Sequence, residues 1–521
     1  MSIRRPSLFA FSVLSLVVAL QGCNDSSSSR SSTAATPPNT TLPTTLGCGT
    51  LDTPETGIQG DIPRADKDSG RAALGYNCGL SPVHQLDLTG AVQGYDHCAY
   101  VRTASDVIQV LDMTDPTKPR EVTTLSPGAA SGINGTSETL RVVTTEENPD
   151  VPPLLASGSS IYDISDCDQP IEKGQVAWPG FVPWPAGMSH DIRVGHAGDK
   201  VYSSVGVVVA DISDLDNADN WAVVNHTCDL AAQFLSVHMI QQAGVNLCDV
   251  MDDTAPQMSH GPDDNADGTR LYVGNQGIPA TVGDASGLLD AGGSAEDVGD
   301  TTLRIIDLTT TPPTVVAQGD GPGHSIDWFR TADGREYILH ANEFVFVQQA
   351  SCAPHPRPNS LGWAFEAFIT EVTGDTLVRR SMLELDINKS ENCSAKMESG
   401  QGTSIANHRV DNPYNASFAM VSFGDGVIPA FDGGPSGAGL RLFDIRNPSE
   451  PLEVAYFNAG PLEHAGASHY DHKRGLLYMP DAGGVRVLEL QPQIVGYLGL
   501  PRPSDPAYPR YPDGHPATPA P

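Results

Sequence analysis

Basic residues are scarce in this chain: 30 lysines and arginines stand against 63 aspartates and glutamates in 521 residues, for a formal charge of −33. So acidic a body repels phosphate backbones and anionic lipid headgroups, which removes nucleic acid as a partner. Charged residues of both signs total only 18%, too few for a coiled coil or a helix bundle. The nine cysteines never occur as Cys-x-x-Cys, so thioredoxin-like redox, zinc-ribbon and c-type haem signatures are missing. Also missing are the G-x-S-x-G elbow, the H-E-x-x-H helix and the G-x-x-x-x-G-K phosphate loop, so no contiguous catalytic motif marks the chain as an enzyme. What is plentiful is turn chemistry: 52 glycines and 42 prolines accompany 39% hydrophobic residues. That mixture suits many short strands, an all-β protein large enough for several domains or one repeat-built body.

Residues 7–20 (SLFAFSVLSLVVAL) follow two arginines and form the longest apolar run, short of the about 18 residues expected of a spanning helix. It reads as a secretory signal. The run ends in Leu20-Gln21-Gly22-Cys23, which resembles the bacterial lipobox and implies a signal peptide over 1–22, lipidation of Cys23 and anchorage in a bilayer. Asn24 rather than Asp follows, a choice that in enterobacterial lipoproteins goes with the outer membrane, facing periplasm or surface. Residues 23–47 are rich in Ser, Thr and Pro without apolar periodicity and are expected to be a disordered tether; 499–521 is a Pro-rich tail of the same kind. A folded body over 48–498 lies between them.

Eight cysteines remain after Cys23, an even number in an exported chain, so disulfides are expected. Nearness in sequence pairs Cys48 with Cys78, Cys228 with Cys248 and Cys352 with Cys393, leaving Cys98 with Cys167.

One phrase recurs through the body: an alternating apolar strand, an acid, an apolar residue and a polar turn. Its copies are VIQVLDMTDPTKP, SSIYDISDCDQP, VVVADISDLDN, LRIIDLTTTPP, LELDINKS, LRLFDIRNPSEP and VRVLELQP, with acids Asp112, Asp163, Asp211, Asp307, Asp386, Asp444 and Glu489. The intervals of 51, 48, 96, 79, 58 and 45 match a propeller blade. Flanking strands such as GTRLYVGNQG and EVAYF complete antiparallel meanders, and packing such sheets around an axis protects their edges. Seven blades of four strands follow; the interval of 96 leaves room for an eighth, although DLAAQFLSVHMIQQ (229–242) reads as a helical insertion. Each repeated acid is expected to accept backbone N–H groups in its turn. Seven such phrases in series resemble the LVIVD repeat of bacterial exported proteins, a family that implies a β-propeller and no settled activity.

A small residue followed by His recurs at Ser189-His190, Ser259-His260, Gly323-His324, Asn407-His408 and Ser468-His469. Placed at the start of each innermost strand, these imidazoles have two readings. They hold neighbouring strands by hydrogen bonds, as does the Gly-His of tryptophan-aspartate propellers, or they line an axial divalent or copper ion site, a feature that resembles histidine-lined copper propellers. His464, His469 and His472, in EHAGASHYDHKRG, form the densest candidate set for metal. Asp263, Asn265 and Asp267 open like a calcium loop, yet the twelfth position is Gly274 rather than Glu, so a polar hairpin turn is the simpler reading. Loops around Trp178, Trp184 and Trp328 suit a glycan or protein contact. The expected function is that of an envelope-anchored propeller binding or scaffolding a protein or surface polymer. The alternative is a metal-dependent oxidase or hydrolase with a His-lined axis.

Overall fold

The repeats fold as meanders because each short strand meets a turn residue before it meets a long-range partner. A computed structural model describes residues 47–103, 107–127, 140–143, 150–176, 192–203, 208–226, 261–274, 302–311, 313–320, 323, 325–341, 367–399, 404–424, 437–458, 467–481 and 483–500. They form seven antiparallel sheets, the seven blades of a β-propeller. The innermost strands of blades 1 to 7 are Val92–Tyr95, Leu140–Val143, Ile192–Val194, Asp263–Asp264, Ile326–Arg330, Ser404–Val410 and His469–Asp471.

Closure is visible in two ways. Blade 7 takes its outermost strand, Leu80–Leu86, from the N-terminal side of the chain, paired with Gly484–Leu490 from the C-terminal side. The core, meanwhile, is a circle of interblade layers rather than one centre. Val92, Ala99 and Val101 of blade 1 pack on Leu476, Tyr478 and Val487 of blade 7. Further layers join blades 1 and 2, 2 and 3, 3 and 4, 4 and 5, 5 and 6, and 6 and 7.

Sandwiching between neighbours explains the burial pattern along each blade. Second strands such as Cys98–Arg102 and Leu476–Asp481 are buried at every residue, because both faces meet another blade. Outer strands such as Arg120–Leu125 and Ile171–Gln175 are largely exposed and polar, which protects the edges from pairing with other chains. In all seven blades the register slips by one residue between the third and fourth strands, and such bulges add the twist a radial blade needs.

The repeated acid does the local work expected of it. Oδ1 of Asp112, Asp163, Asp211, Asp307 and Asp444 each accepts the backbone N–H two residues ahead. The apolar residue that follows then donates its N–H to the loop before the second strand, as Met113 does to His97 O and Ile212 to Asp199 O.

Blade 5 departs from the sequence reading. LELDINKS follows the fourth strand, Thr376–Leu383, instead of forming the third, and Asp386 opens a short 3₁₀ turn and pairs with Lys389. The third strand is Ala367–Thr373, whose Glu371 occupies the position of the repeated acid. An apolar-acid-apolar-acid run at a strand end mimicked the phrase.

Two expected disulfides are present, Cys48–Cys78 and Cys98–Cys167, the second joining blades 1 and 2. Cys393 is also disulfide-bonded, while Cys228, Cys248 and Cys352 lie outside the described residues, as does the 229–242 segment. The N-terminal strap from Cys48 adds Tyr76–Cys78 as a fifth strand to blade 6. Beneath it, fully buried Arg441 meets Glu55 and Glu453. The helix Pro492–Leu498 ends the described chain, burying Ile494, Val495 and Leu498. Among the described residues no helix is long and apolar enough to cross a membrane.

Candidate functional site

Register decides which side chains reach the axis. In blade 1, Val110, two before the turn acid, pairs with Tyr100, which pairs with Gln93 on the inner strand. The same two steps lead from Ile161 through Ala156 to Arg141, from Val209 through Tyr202 to Arg193, and from Ile305 through Tyr272 to Asp263. Blades 5, 6 and 7 place Asp327, Arg409 and His469 on that rung. Each blade therefore contributes one polar residue at an equivalent position.

Six of these residues, Gln93, Arg141, Asp263, Asp327, Arg409 and His469, line a cavity of about 350 Å³. That size lies within the range of small-molecule sites. Asp96, His196, Asp411, Asp471, His472 and Lys473 contribute to the same wall. The seventh rung residue, Arg193, reaches across to blade 5 and bonds Ile326 O and Asp327, the latter at 3.3 Å.

Most of the wall's charges neutralise one another. Asp263 accepts the Trp328 backbone N–H at 2.9 Å and lies 3.2 Å from Arg141 and 3.4 Å from His196. Burial alone would raise its pKa, but the Arg141 and His196 charges hold it below the usual carboxylate range. Its neighbour Asp264 accepts from His196 N and Tyr202 Oη at 2.8 and 3.0 Å, and burial pushes it up to about 6. Asp471 is likewise pushed up to about 6 by burial. His472 lies 3.2 Å from Asp411, whose carboxylate raises its pKa against the effect of burial. Lys473 pairs with Asp96.

The candidates from sequence divide. His408 and His469 lie on inner strands as expected, but they face different surroundings. Both ring nitrogens of His408 are engaged, Nδ1 with Asp327 at 2.8 Å and Nε2 with Ser325 O at 3.0 Å, so it ties blade 6 to blade 5. His469 lines the cavity and stacks on Tyr478, and desolvation pushes its imidazole down to about 3. His190, His260, His324 and His464 lie outside the described residues, as do Trp178 and Trp184. Trp328 is fully buried against His196 and Tyr414, which removes it from any surface contact with a glycan or protein.

Asp263, Asn265 and Asp267 part company. Asp263 faces the axis, whereas Asn265 accepts from the Thr269 and Arg270 N–H groups and Asp267 from Thr269, as a hairpin turn requires. Among the described residues, His196, Asp263 and Asp264 form a three-ligand cluster with atoms within 4.8 Å of one another and no disulfide sulfur among them. The Arg141 guanidinium lies 3.2 Å from Asp263 Oδ1, and its positive charge opposes a cation at this cluster.

Sequence reading missed Gln93, Arg141, Arg193, Asp327, Arg409 and His196. A signal was present: an apolar or His residue, then Arg-Val, at Leu140-Arg141-Val142, Ile192-Arg193-Val194 and His408-Arg409-Val410.

No family profile matches the chain, and no curated protein matches it in sequence. Among solved structures it is similar to the β-propeller domain of Cps50 (Swd1) from Myceliophteria thermophila, at 10% identity and a TM-score of 0.44, over 79% of this chain and 99% of that one. It is also similar to a chain of a mitotic checkpoint complex, at 8% identity and a TM-score of 0.39, over 85% of this chain and 98% of that one. Neither likeness bears on function, and the seven-bladed assignment rests on the strand pairings themselves.

Proposed function

We propose that this chain is a binding module of the bacterial cell envelope, held on a membrane by lipid at Cys23 and presenting a propeller to a protein or surface polymer, of which a surface polymer fits the axis better. The observation that carries this reading is the axial cavity, where six blades each contribute a polar rung residue to one concave wall. Its charges are largely matched in pairs, Arg141 with Asp263, Lys473 with Asp96 and His472 with Asp411. Such an arrangement recognises a polar group by shape and hydrogen bonding. The metal-enzyme alternative has a single supporting feature, the His196, Asp263 and Asp264 cluster, and there the Arg141 charge opposes a cation.

Two measurements test the proposal. Full-length protein should co-sediment with the polymer extracted from its own cells, and Cys23→Ser should move it from the membrane fraction to the soluble one. Failure to co-sediment, together with one equivalent of bound transition metal in the purified protein, would turn the assignment to the metal enzyme.

A further inference from the structure

Five carboxylates line the axial cavity, Asp96, Asp263, Asp327, Asp411 and Asp471, against the permanent cations Arg141, Arg409 and Lys473. Three of the five have a basic partner. Lys473 pairs with Asp96, Arg141 lies 3.2 Å from Asp263, and Arg193 reaches Asp327 from behind the wall at 3.3 Å. Asp411 and Asp471, on neighbouring blades 6 and 7, form no ion pair with a lysine or arginine among the described residues. Asp411 has the titratable His472 imidazole at 3.2 Å. Asp471 is so short of positive charge that burial, opposed by Arg474, pushes it up to about 6.

Both aspartates are held in place by backbone. Oδ1 of Asp411 accepts the Ser417 and Phe418 N–H groups at 2.8 and 3.0 Å, and Oδ1 of Asp471 those of Lys473 and Arg474 at 3.0 and 3.1 Å. Oδ2 of each has no hydrogen-bond partner among the described residues. Gln93 Oε1 and Asp263 Oδ1 on the same wall are likewise acceptors without donors, against two donors without acceptors, Arg141 Nη1 and Trp328 Nε1. His472 Nε2 is also unpartnered and can serve either way. The four acceptor and two donor residues are at most 9% exposed. A buried polar group without a partner is costly, so this wall calls for a ligand richer in donors than in acceptors. A primary ammonium brings three donors and no acceptor, together with the charge that Asp411 and Asp471 lack. Hydroxyls, which both donate and accept, suit Gln93 and Arg141, and about 350 Å³ admits one sugar ring.

Resting on the binding-module reading, we infer that the axial cavity is the site for a singly charged, hydroxylated amine of one-ring size, the chemistry of a de-N-acetylated amino-sugar unit of a surface polysaccharide. The ammonium meets Asp411 and Asp471, and the hydroxyls meet Gln93 Oε1 and Arg141 Nη1.

Isothermal titration calorimetry on the full-length protein in detergent micelles tests the assignment, with glucosamine, N-acetylglucosamine, glucose and n-butylamine as probes. Glucosamine should bind saturably. The two uncharged sugars should bind at least about tenfold weaker, since one charged hydrogen bond carries roughly that factor. n-Butylamine has the ammonium without the hydroxyls and should be weaker by a similar factor, the sum of two or more neutral hydrogen bonds. Asp411→Asn and Asp471→Asn keep an oxygen for the backbone N–H groups and lose the charge. Each should weaken glucosamine about tenfold and leave the weak binding of glucose unchanged. Thermal midpoints within a few degrees of the parent show that both variants are folded. No saturable heat with glucosamine, an uncharged sugar binding as tightly, or both variants binding like the parent would overturn the inference. Equally tight n-butylamine would overturn it too, and would point to a lysine side chain of a protein instead. Co-sedimentation with polymer despite such a result would leave the binding-module reading standing and remove only the axial amine; loss of both would remove both.

Discussion

Arg441, beneath the N-terminal strap, and Arg141, at the axis, are both buried arginines beside buried carboxylates, yet their hydrogen bonding differs. Arg441 donates from Nε and Nη2 to Ala438 O, meets Glu55 through Nη1 and Nη2, and lies 3.5 Å from Glu453. Around it Glu453 accepts from Gln59, and the Glu55 N–H donates to Tyr456 Oη. Arg141 shares Asp263 with His196 and the Trp328 N–H and, among the described residues, leaves Nη1 without a partner. The strap is a closed network that fixes where the chain begins to wind. The axis is an open one, and a buried network with unmet members marks a place where something else is expected to bind.

The largest loss of stability is expected at the strap. Arg441→Met would leave Glu55 and Glu453 buried without their cation and should lower stability by about 3–5 kcal/mol, whereas Arg141→Lys should cost about 1 kcal/mol or less because the ion pair with Asp263 survives. Urea unfolding of the two variants side by side measures the gap, and equal losses would erase the distinction. Removing the blade 1 to blade 2 cross-link with Cys98→Ser and Cys167→Ser frees a loop of 69 residues and should cost about 4 kcal/mol. The Cys48 and Cys78 pair, closing 30 residues, should cost slightly less in the same assay.

Titration sharpens the contrast. Burial, with Glu55 adding and Arg441 opposing, raises Glu453 from 4.5 to about 7. A carboxylate raised in the folded state contributes stability that is full below its unfolded pKa and lost as pH rises through the folded one. Thermal midpoints should therefore fall between pH 5 and 8, and Glu453→Gln should remove the part of the slope nearest pH 7. The part below pH 6 should remain, because Asp264 and Asp471, each raised to about 6, sit at the axis. A slope unaltered by Glu453→Gln would move the pH sensitivity away from the strap. Smallest of all, Asp112→Ala and Asp163→Ala each delete one turn acceptor and should cost about 1 kcal/mol by equilibrium unfolding.

Which features were legible from the sequence follows from the range of the interactions that make them. The turn acids and their spacing were readable because an aspartate that accepts the N–H two residues ahead is a local device. Six of the seven phrases mark third strands, five of them through that bond and the last with Glu489 in the acid's place. The fifth, with Asp386, misled because Leu-Glu-Leu-Asp imitates the pattern while the true third strand carries Glu371 and closes through a tight turn at Gly374. The axial residues were harder to see, since a position such as Arg141 is fixed by two successive strand registers and no motif of its own. His408 was visible as a repeated dipeptide, but its partners Asp327 and Ser325 come from the neighbouring blade. Ring closure by Leu80–Leu86 against Gly484–Leu490 joins opposite ends of the body; Gly484, at φ +133, is where a Cβ would lie 2.0 Å from Leu86 O.

A crystal structure of the full-length protein grown with oligosaccharides cut from the polymer of its own cells tests the axial site most directly. One sugar unit is expected inside the ring of seven blades, within hydrogen-bond reach of Arg141 Nη1 and Gln93 Oε1. A cavity filled only by water, or the oligosaccharide bound on an outer face of the blades, would contradict the binding-module reading.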